Sequence, residues 1–251
     1  MIEVDGVTKA FGEVQALRGV SFTAGDARIT GLLGPNGAGK STTLRVLYTV
    51  IRPDAGRAAV DGIDVTKDAL GVRNAIGVLP HGAGVYPNLT ARENTRYYGR
   101  LHGLKGAALE KRIDHLIEML EMGDFADRRA KGFSHGQQTK VALARALVHE
   151  PRNVLLDEPT SGLDVMATRS LRELILRLRD EGYCVLFSSH VMQEVAALCD
   201  DIVIVAKGRA VASGSPDALR RAAGTDDLED VFVSAISEAE VQADGDGGER
   251  S

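Results

Sequence analysis

Hydrophobic positions along the chain change period several times, and each change marks an element. Ile2, Val4 and Val7 alternate with polar residues, and residues 19–23 give a second short strand. A continuous apolar run over 29–33 reads as a buried strand, and residues 41–50 as a helix. Pro53 to Gly56 form a turn, residues 57–65 a hairpin folded about Asp61-Gly62, and residues 75–79 a further strand ended by Pro80. The period then becomes helical. Thr90 with Glu93 three residues on predicts a capped helix start, and 109–122 puts Ile113, Leu116, Ile117 and Leu120 on one face. Ser134 caps another helix, running through Val148 and stopped by Pro151.

Strands return at 153–156, 183–188 and 202–205, separated by helices at 165–179 and 191–198. Such alternation implies a mainly parallel sheet covered on both faces, with the helical middle inserted into it. A short strand follows Gly208-Arg209, then a helix over 216–222. Beyond Gly224 acids and glycine dominate, apart from an apolar patch at 228–236. Residues 242–251 lack apolar content and are expected to be disordered.

Composition changes this picture little. With 251 residues, 44% of them hydrophobic, the chain can bury one large core or two small ones. A net charge of −5 lacks the basic excess expected of a nucleic-acid-tracking protein. Cys184 and Cys199 form no C-x-x-C pair and sit in apolar stretches, as buried reduced thiols do. No apolar run approaches the roughly 18 residues of a membrane span, and the N-terminus is acidic where a secretory signal is basic. A cytosolic location is expected.

Candidate chemistry begins at Gly34-Pro35-Asn36-Gly37-Ala38-Gly39-Lys40-Ser41, between a predicted strand and a predicted helix. Strand, glycine loop and helix are the context a phosphate-binding P-loop needs. The glycines are expected to let backbone approach the phosphates, with helix N–H groups facing the polyanion. Lys40 is placed to reach β- and γ-phosphates, and the Ser41 hydroxyl to ligate Mg²⁺. A second signal is the strand at 153–156 ending in Asp157-Glu158. It puts two carboxylates at the sheet edge where the P-loop lies, Asp157 to support the metal and Glu158 to orient and deprotonate a water.

These motifs, with Phe133-Ser134-His135-Gly136-Gln137, Leu155 to Thr160, Ser161-Gly162-Leu163-Asp164 and Ser188-Ser189-His190, together resemble the ATP-binding subunit of ABC transporters. The match runs from residue 1 to about 222. Residues 89–94 and 187–200 are most similar to NatA-type sodium-efflux ATPases and related exporters. The resemblance implies an α/β fold: a P-loop NTPase (RecA-like) core with an N-terminal antiparallel β-subdomain and an inserted α-helical subdomain. The core would comprise 1–81 and 151–223, the helical subdomain 82–150, and 224–251 an acidic, partly disordered tail.

It also implies roles. Gly34 through Thr42 would bind ATP with Mg²⁺ on Ser41 and Asp157, while Lys40, Glu158 and His190 would serve catalysis. Phe11 would stack on adenine. Ser134, Gly136 and Gln137 would form a signature closing on ATP held by a second copy, and Asp164 would touch that copy. The implied partners are a second ATPase subunit and a polytopic membrane permease, with no nucleic acid, at the inner face of the cell membrane. Three positions depart from the family pattern: His135 replaces a signature glycine, Phe133 replaces the commoner leucine, and His81 stands where a glutamine usually links the site to the membrane subunit. Alternatives from the same resemblance are a soluble ABC ATPase of DNA repair or translation, and an importer ATPase. The first would carry a second cassette, coiled-coil arm or basic linker, and the second a longer C-terminal extension. The cargo is not specified, because the membrane subunit selects it.

Overall fold

The computed structural model describes residues 1–246, with side chains through Ala239. Two sheets organise it. The smaller contains β1 (Ile2–Phe11), β2 (Val14–Ala24), β4 (Ala55–Val60) and β5 (Ile63–Asp64), in the order β2-β1-β4-β5 and antiparallel throughout. Asp61 and Gly62 join β4 to β5 with φ of 48° and 77°. Positive φ at both positions is what a two-residue hairpin turn requires.

The larger sheet runs β10-β9-β3-β8-β7-β6, using β3 (Ile29–Leu33), β6 (Ile76–Leu79), β7 (Asn153–Asp157), β8 (Cys184–Ser189), β9 (Asp201–Ala206) and β10 (Arg209–Gly214). Its strands are parallel except for β10 at one edge. Side chains alternate across it with the two-residue period of a strand. Leu32, Leu155, Leu186 and Val203 face the antiparallel sheet and α1 (Lys40–Leu47). Leu33, Leu156, Phe187 and Ile204 face a second core formed with helices of the opposite side. The sheet is therefore the shared wall of two cores, which explains why its strands read as unbroken apolar runs.

Helices α3 (Ala91–Leu101), α4 (Gly106–Met119) and α5 (His135–Leu147) lie between β6 and β7 in the chain. Thr90 and Glu93 cap α3 reciprocally, and Ile113, Leu116, Ile117 and Leu120 are buried. After β7 come α6 (Val165–Asp180), α7 (Met192–Leu198), α8 (Pro216–Ala223) and α9 (Leu228–Asp246). Cys184 and Cys199 are buried free thiols, and burial pushes the Cys184 thiol up to about 12.

Two expectations need correction. Ala75 ends a helix, α2 (Ala69–Ala75), and does not begin the strand. Asp68 caps that helix by accepting from the Gly71 N–H at 2.8 Å, and with only Val72 buried it leaves no apolar period to read. The acidic tail is also more ordered than expected: α9 continues to Asp246, while residues 247–251 lie outside the described residues. Leu228 and Val231 anchor it in the core beneath β9 and β10, so a few apolar contacts outweigh an acidic composition.

Candidate functional site

β3 delivers the chain to the loop 34–39, and the sheet fixes where that loop stands. Leu33 pairs with Ser189 on one side and Ile204 on the other. A Cβ at Gly34 would lie 2.2 Å from the Val205 carbonyl oxygen. One at Gly39, where φ is 110°, would lie 2.8 Å from Leu17 Cδ2 and 2.9 Å from the Ala16 oxygen. These two glycines are demanded by the protein's own strands, whatever the loop binds. Pro35, Asn36 and Gly37 form the exposed crest, and Ala38 is tied down by the Gly208 N–H at 3.0 Å.

Gly39 begins α1 without a side-chain cap. The Thr43 N–H makes the first bond back into the helix, to the Gly39 oxygen at 2.9 Å. The N–H groups of Lys40, Ser41 and Thr42 thus have no intrahelical acceptor and sit at the positive end of the helix dipole. Lys40 is buried. Its ammonium donates to the Gly34 and Pro35 oxygens at 2.7 and 3.0 Å. Burial pushes its pKa down, opposed by Glu158 and Asp157.

The carboxylates arrive on β7. Asp157 is buried, and its Oδ1 accepts from Ser41 Oγ at 2.9 Å and from Ser188 Oγ at 2.7 Å. Ser188 Oγ in turn accepts from the Glu158 N–H at 3.0 Å. Glu158 adopts φ of 48°, uncommon for a residue with a side chain, and turns its carboxylate towards Lys40 and two imidazoles. Oε1 lies 3.9 Å from Lys40 Nζ and 3.4 Å from His190 Nδ1, and Oε2 4.0 Å from His81 Nδ1. His81, Glu158, Asp157 and His135 line a common cleft of about 210 Å³.

The remaining expected residues stand elsewhere. Phe11 is half-exposed at the tip of the β1–β2 hairpin, whose second strand carries Ala16 and Leu17 against Gly39. Ser134 caps α5: its Oγ accepts from the Gln137 N–H at 3.2 Å, and Gln137 Oε1 accepts from the Ser134 N–H at 3.1 Å. Gly136 faces Ala167, and a Cβ there would meet Ala167 Cβ at 3.2 Å. Asp164 caps α6 by accepting from the Ala167 N–H at 2.8 Å. Among the described residues, no hydrogen bond or ion pair joins Ser134, Gly136, Gln137 or Asp164 to the loop at 34–41.

Sequence reasoning passed over Glu194. It is buried, and its Oε2 accepts from Thr160 Oγ1 at 2.8 Å and Ser189 Oγ at 3.0 Å, tying the turn after Glu158 to the strand end before His190. Only its place in the first turn of α7 hinted at this.

The family model described as "ABC transporter" matches residues 17–161. The ABC transporter ATP-binding protein NatA of Bacillus subtilis is 42% identical over 89% of this chain and 91% of its own length. This chain belongs to the ABC transporter family. A Nod factor export ATP-binding protein of Paraburkholderia xenovorans is 38% identical to this ABC protein, over 87% of this chain and 72% of its own. A solved ATP-binding subunit of an ABC transporter superposes with a TM-score of 0.85 at 28% identity, covering 94% of this chain and 99% of that one. A dimeric ABC cassette in a post-hydrolysis state, bound to ADP and Pi, gives 0.77 at 28% identity over 86% and 98%.

The residues of this ABC ATPase fit a magnesium-bound polyphosphate. The N-terminal end of α1 is left uncapped by any side chain. A buried cation has only neutral carbonyls within hydrogen-bonding distance. Ser41 and Asp157 supply hard oxygen donors, which suit Mg²⁺.

Proposed function

We propose that two copies of this chain close on two ATP molecules, each held by one copy's P-loop and the other's signature, and so drive a separate export permease. The observation carrying the hydrolytic step is Glu158, held 3.4 to 4.0 Å from His190, Lys40 and His81 beside Asp157 and Ser41. In this reading Gly34 through Thr42 wrap the phosphates with backbone N–H groups, and Lys40 reaches the β- and γ-phosphates. Bound at Ser41 and Asp157, Mg²⁺ would supply charge neutralisation on the phosphates. Glu158 takes the proton of the attacking water, and His190 contacts the γ-phosphate. Phe11 stacks on adenine. Ser134, Gly136 and Gln137 present the second anion site to the other copy, and Asp164 meets that copy.

Two supports point to a membrane partner. The matched relatives include an export ATP-binding protein, and no helix among the described residues is long and apolar enough to cross a membrane. The groove lined by Leu70, Pro80, Ala83, Tyr98 and Leu101 adjoins the His81 loop and would take an apolar segment of that permease. This ABC ATPase would then sit at the inner face of the membrane. The division into an ATPase core, an inserted helical subdomain and a C-terminal segment belongs to the same reading.

Glu158→Gln tests it. The variant keeps the shape and cannot accept a proton, so turnover should fall at least 100-fold while ATP still binds and a dimer accumulates. Size-exclusion chromatography with ATP and Mg²⁺ beside a phosphate-release assay reads both. Normal hydrolysis, or a monomer at saturating ATP, would remove Glu158 from its role.

A further inference from the structure

His135 occupies the first turn of α5, and its side chain has a definite partner. Its Nε2 lies 3.0 Å from the Ser161 carbonyl oxygen. A carbonyl oxygen only accepts, so Nε2 carries the proton and donates. The ring also stands beside the next residue, Gly162. A Cβ built on Gly162 would lie 3.5 Å from both His135 Cδ2 and Nε2, ordinary van der Waals contact.

Ser161 belongs to the turn that follows the catalytic carboxylate. Its N–H donates to the Glu158 oxygen at 3.1 Å, and the Leu163 N–H donates to the Thr160 oxygen at 3.1 Å. Thr160 is pinned on one flank by Glu194. On the other flank the polar tie is His135 to Ser161. Glu158 itself sits at positive φ, a conformation its surroundings must impose. A turn held on both flanks can impose it, whereas a turn held on one is free to relax.

We propose that His135 is a positioning residue, anchoring the 158–162 turn to the signature helix and thereby fixing the aim of Glu158 within its own subunit. It acts through Ser161. The geometry gives a chemical reason for histidine here: glycine offers no side-chain donor, and the imidazole N–H reaches the carbonyl. The consequence for turnover rests on the ATPase reading above; the anchoring does not.

The test compares His135→Ala with His135→Gln, whose Nε2 can take the same place, alongside wild type and at matched melting temperatures. Hydrogen–deuterium exchange of peptides spanning 158–163, without nucleotide, should be about three- to tenfold faster in His135→Ala and close to wild type in His135→Gln. Turnover at saturating ATP should fall about three- to tenfold in the alanine variant, recover to within about twofold in the glutamine variant, and leave the KM for ATP nearly unchanged. Unchanged exchange in His135→Ala overturns the proposal, as does a glutamine variant no better than alanine. Wild type that exchanges as expected but hydrolyses no ATP would defeat the ATPase reading while upholding the anchor.

Discussion

Two helices in this molecule start at positions assigned to phosphate, and they start in opposite ways. α1 begins at Gly39 with no capping side chain, so its first N–H groups are left for something outside the helix. α5 begins with a reciprocal cap, in which Ser134 and Gln137 satisfy each other's backbone N–H groups. The first end is open as built. The second is partly closed as built: Ser134 Oγ takes the Gln137 N–H, which becomes available to phosphate only if the cap gives way, while the His135 and Gly136 N–H groups precede the first intrahelical bond. A site that binds nucleotide in one subunit and a site that waits for nucleotide from another would differ in this manner. Backbone donors without a protein acceptor are free for water or for a ligand, and a ligand that takes them stabilises the folded chain by mass action.

The largest expected effect strikes the open end. Lys40→Ala removes the buried cation behind the uncapped N–H groups and should lower turnover at least about 100-fold, with nucleotide binding lost in a direct titration. Near-normal turnover would mean that α1 is open for a reason other than phosphate. The closed end separates two roles of one residue. Ser134→Ala should cost about 1 kcal/mol and lower the melting temperature by about 2–4 °C, through loss of the cap. Ser134→Asp keeps a capping oxygen and adds negative charge, so it should melt near wild type yet fail to dimerise with ATP. Dimerisation by the aspartate variant would make Ser134 a cap and nothing more.

The smallest effect concerns the far end of α5. There His149 stacks on His102 with centroids 3.7 Å apart, donates from Nε2 to the Ile76 oxygen at 2.9 Å, and has Nδ1 buried without a partner. Burial and the neighbouring imidazole push its pKa down to about 4. The unfolded chain, with an ordinary value of about 6.5, takes up the proton first, so this contribution is present above that pH and is lost as pH falls towards 4. Partial solvent contact discounts the loss to about 1 kcal/mol by pH 5.5. Melting curves at pH 7 and 5.5 should therefore diverge in wild type and converge in His149→Gln. A parallel loss in both would place the acid sensitivity elsewhere.

Much of this was legible in the chain. Unbroken apolar runs marked the central strands because both faces of the large sheet are covered, and Thr90–Glu93 and Ser134 marked helix starts because a cap is local chemistry. What escaped is set by distant partners. The reason for Gly39 lies in β2, 22 residues and more upstream, and the purpose of His135 lies in a carbonyl 26 residues downstream. Glu194 read as an ordinary helix residue until two hydroxyls converged on it. The ordered tail escaped because Leu228 and Val231 are few, and only the groove they enter makes them sufficient.

The strand order β3-β8-β7 carries a last implication. The P-loop and the acidic pair leave strands that are next-nearest neighbours, so about 9.5 Å of ladder separates their backbones. That interval is metered by hydrogen bonds of β8, whose final residues Ser188 and Ser189 lie between them. Spacing between the glycine loop and the two carboxylates is thus a property of the main chain, as insensitive to side-chain drift as the sheet itself. Evolution can then alter the loops above it, and with them the coupling to partners, while the ruler beneath stays the same length.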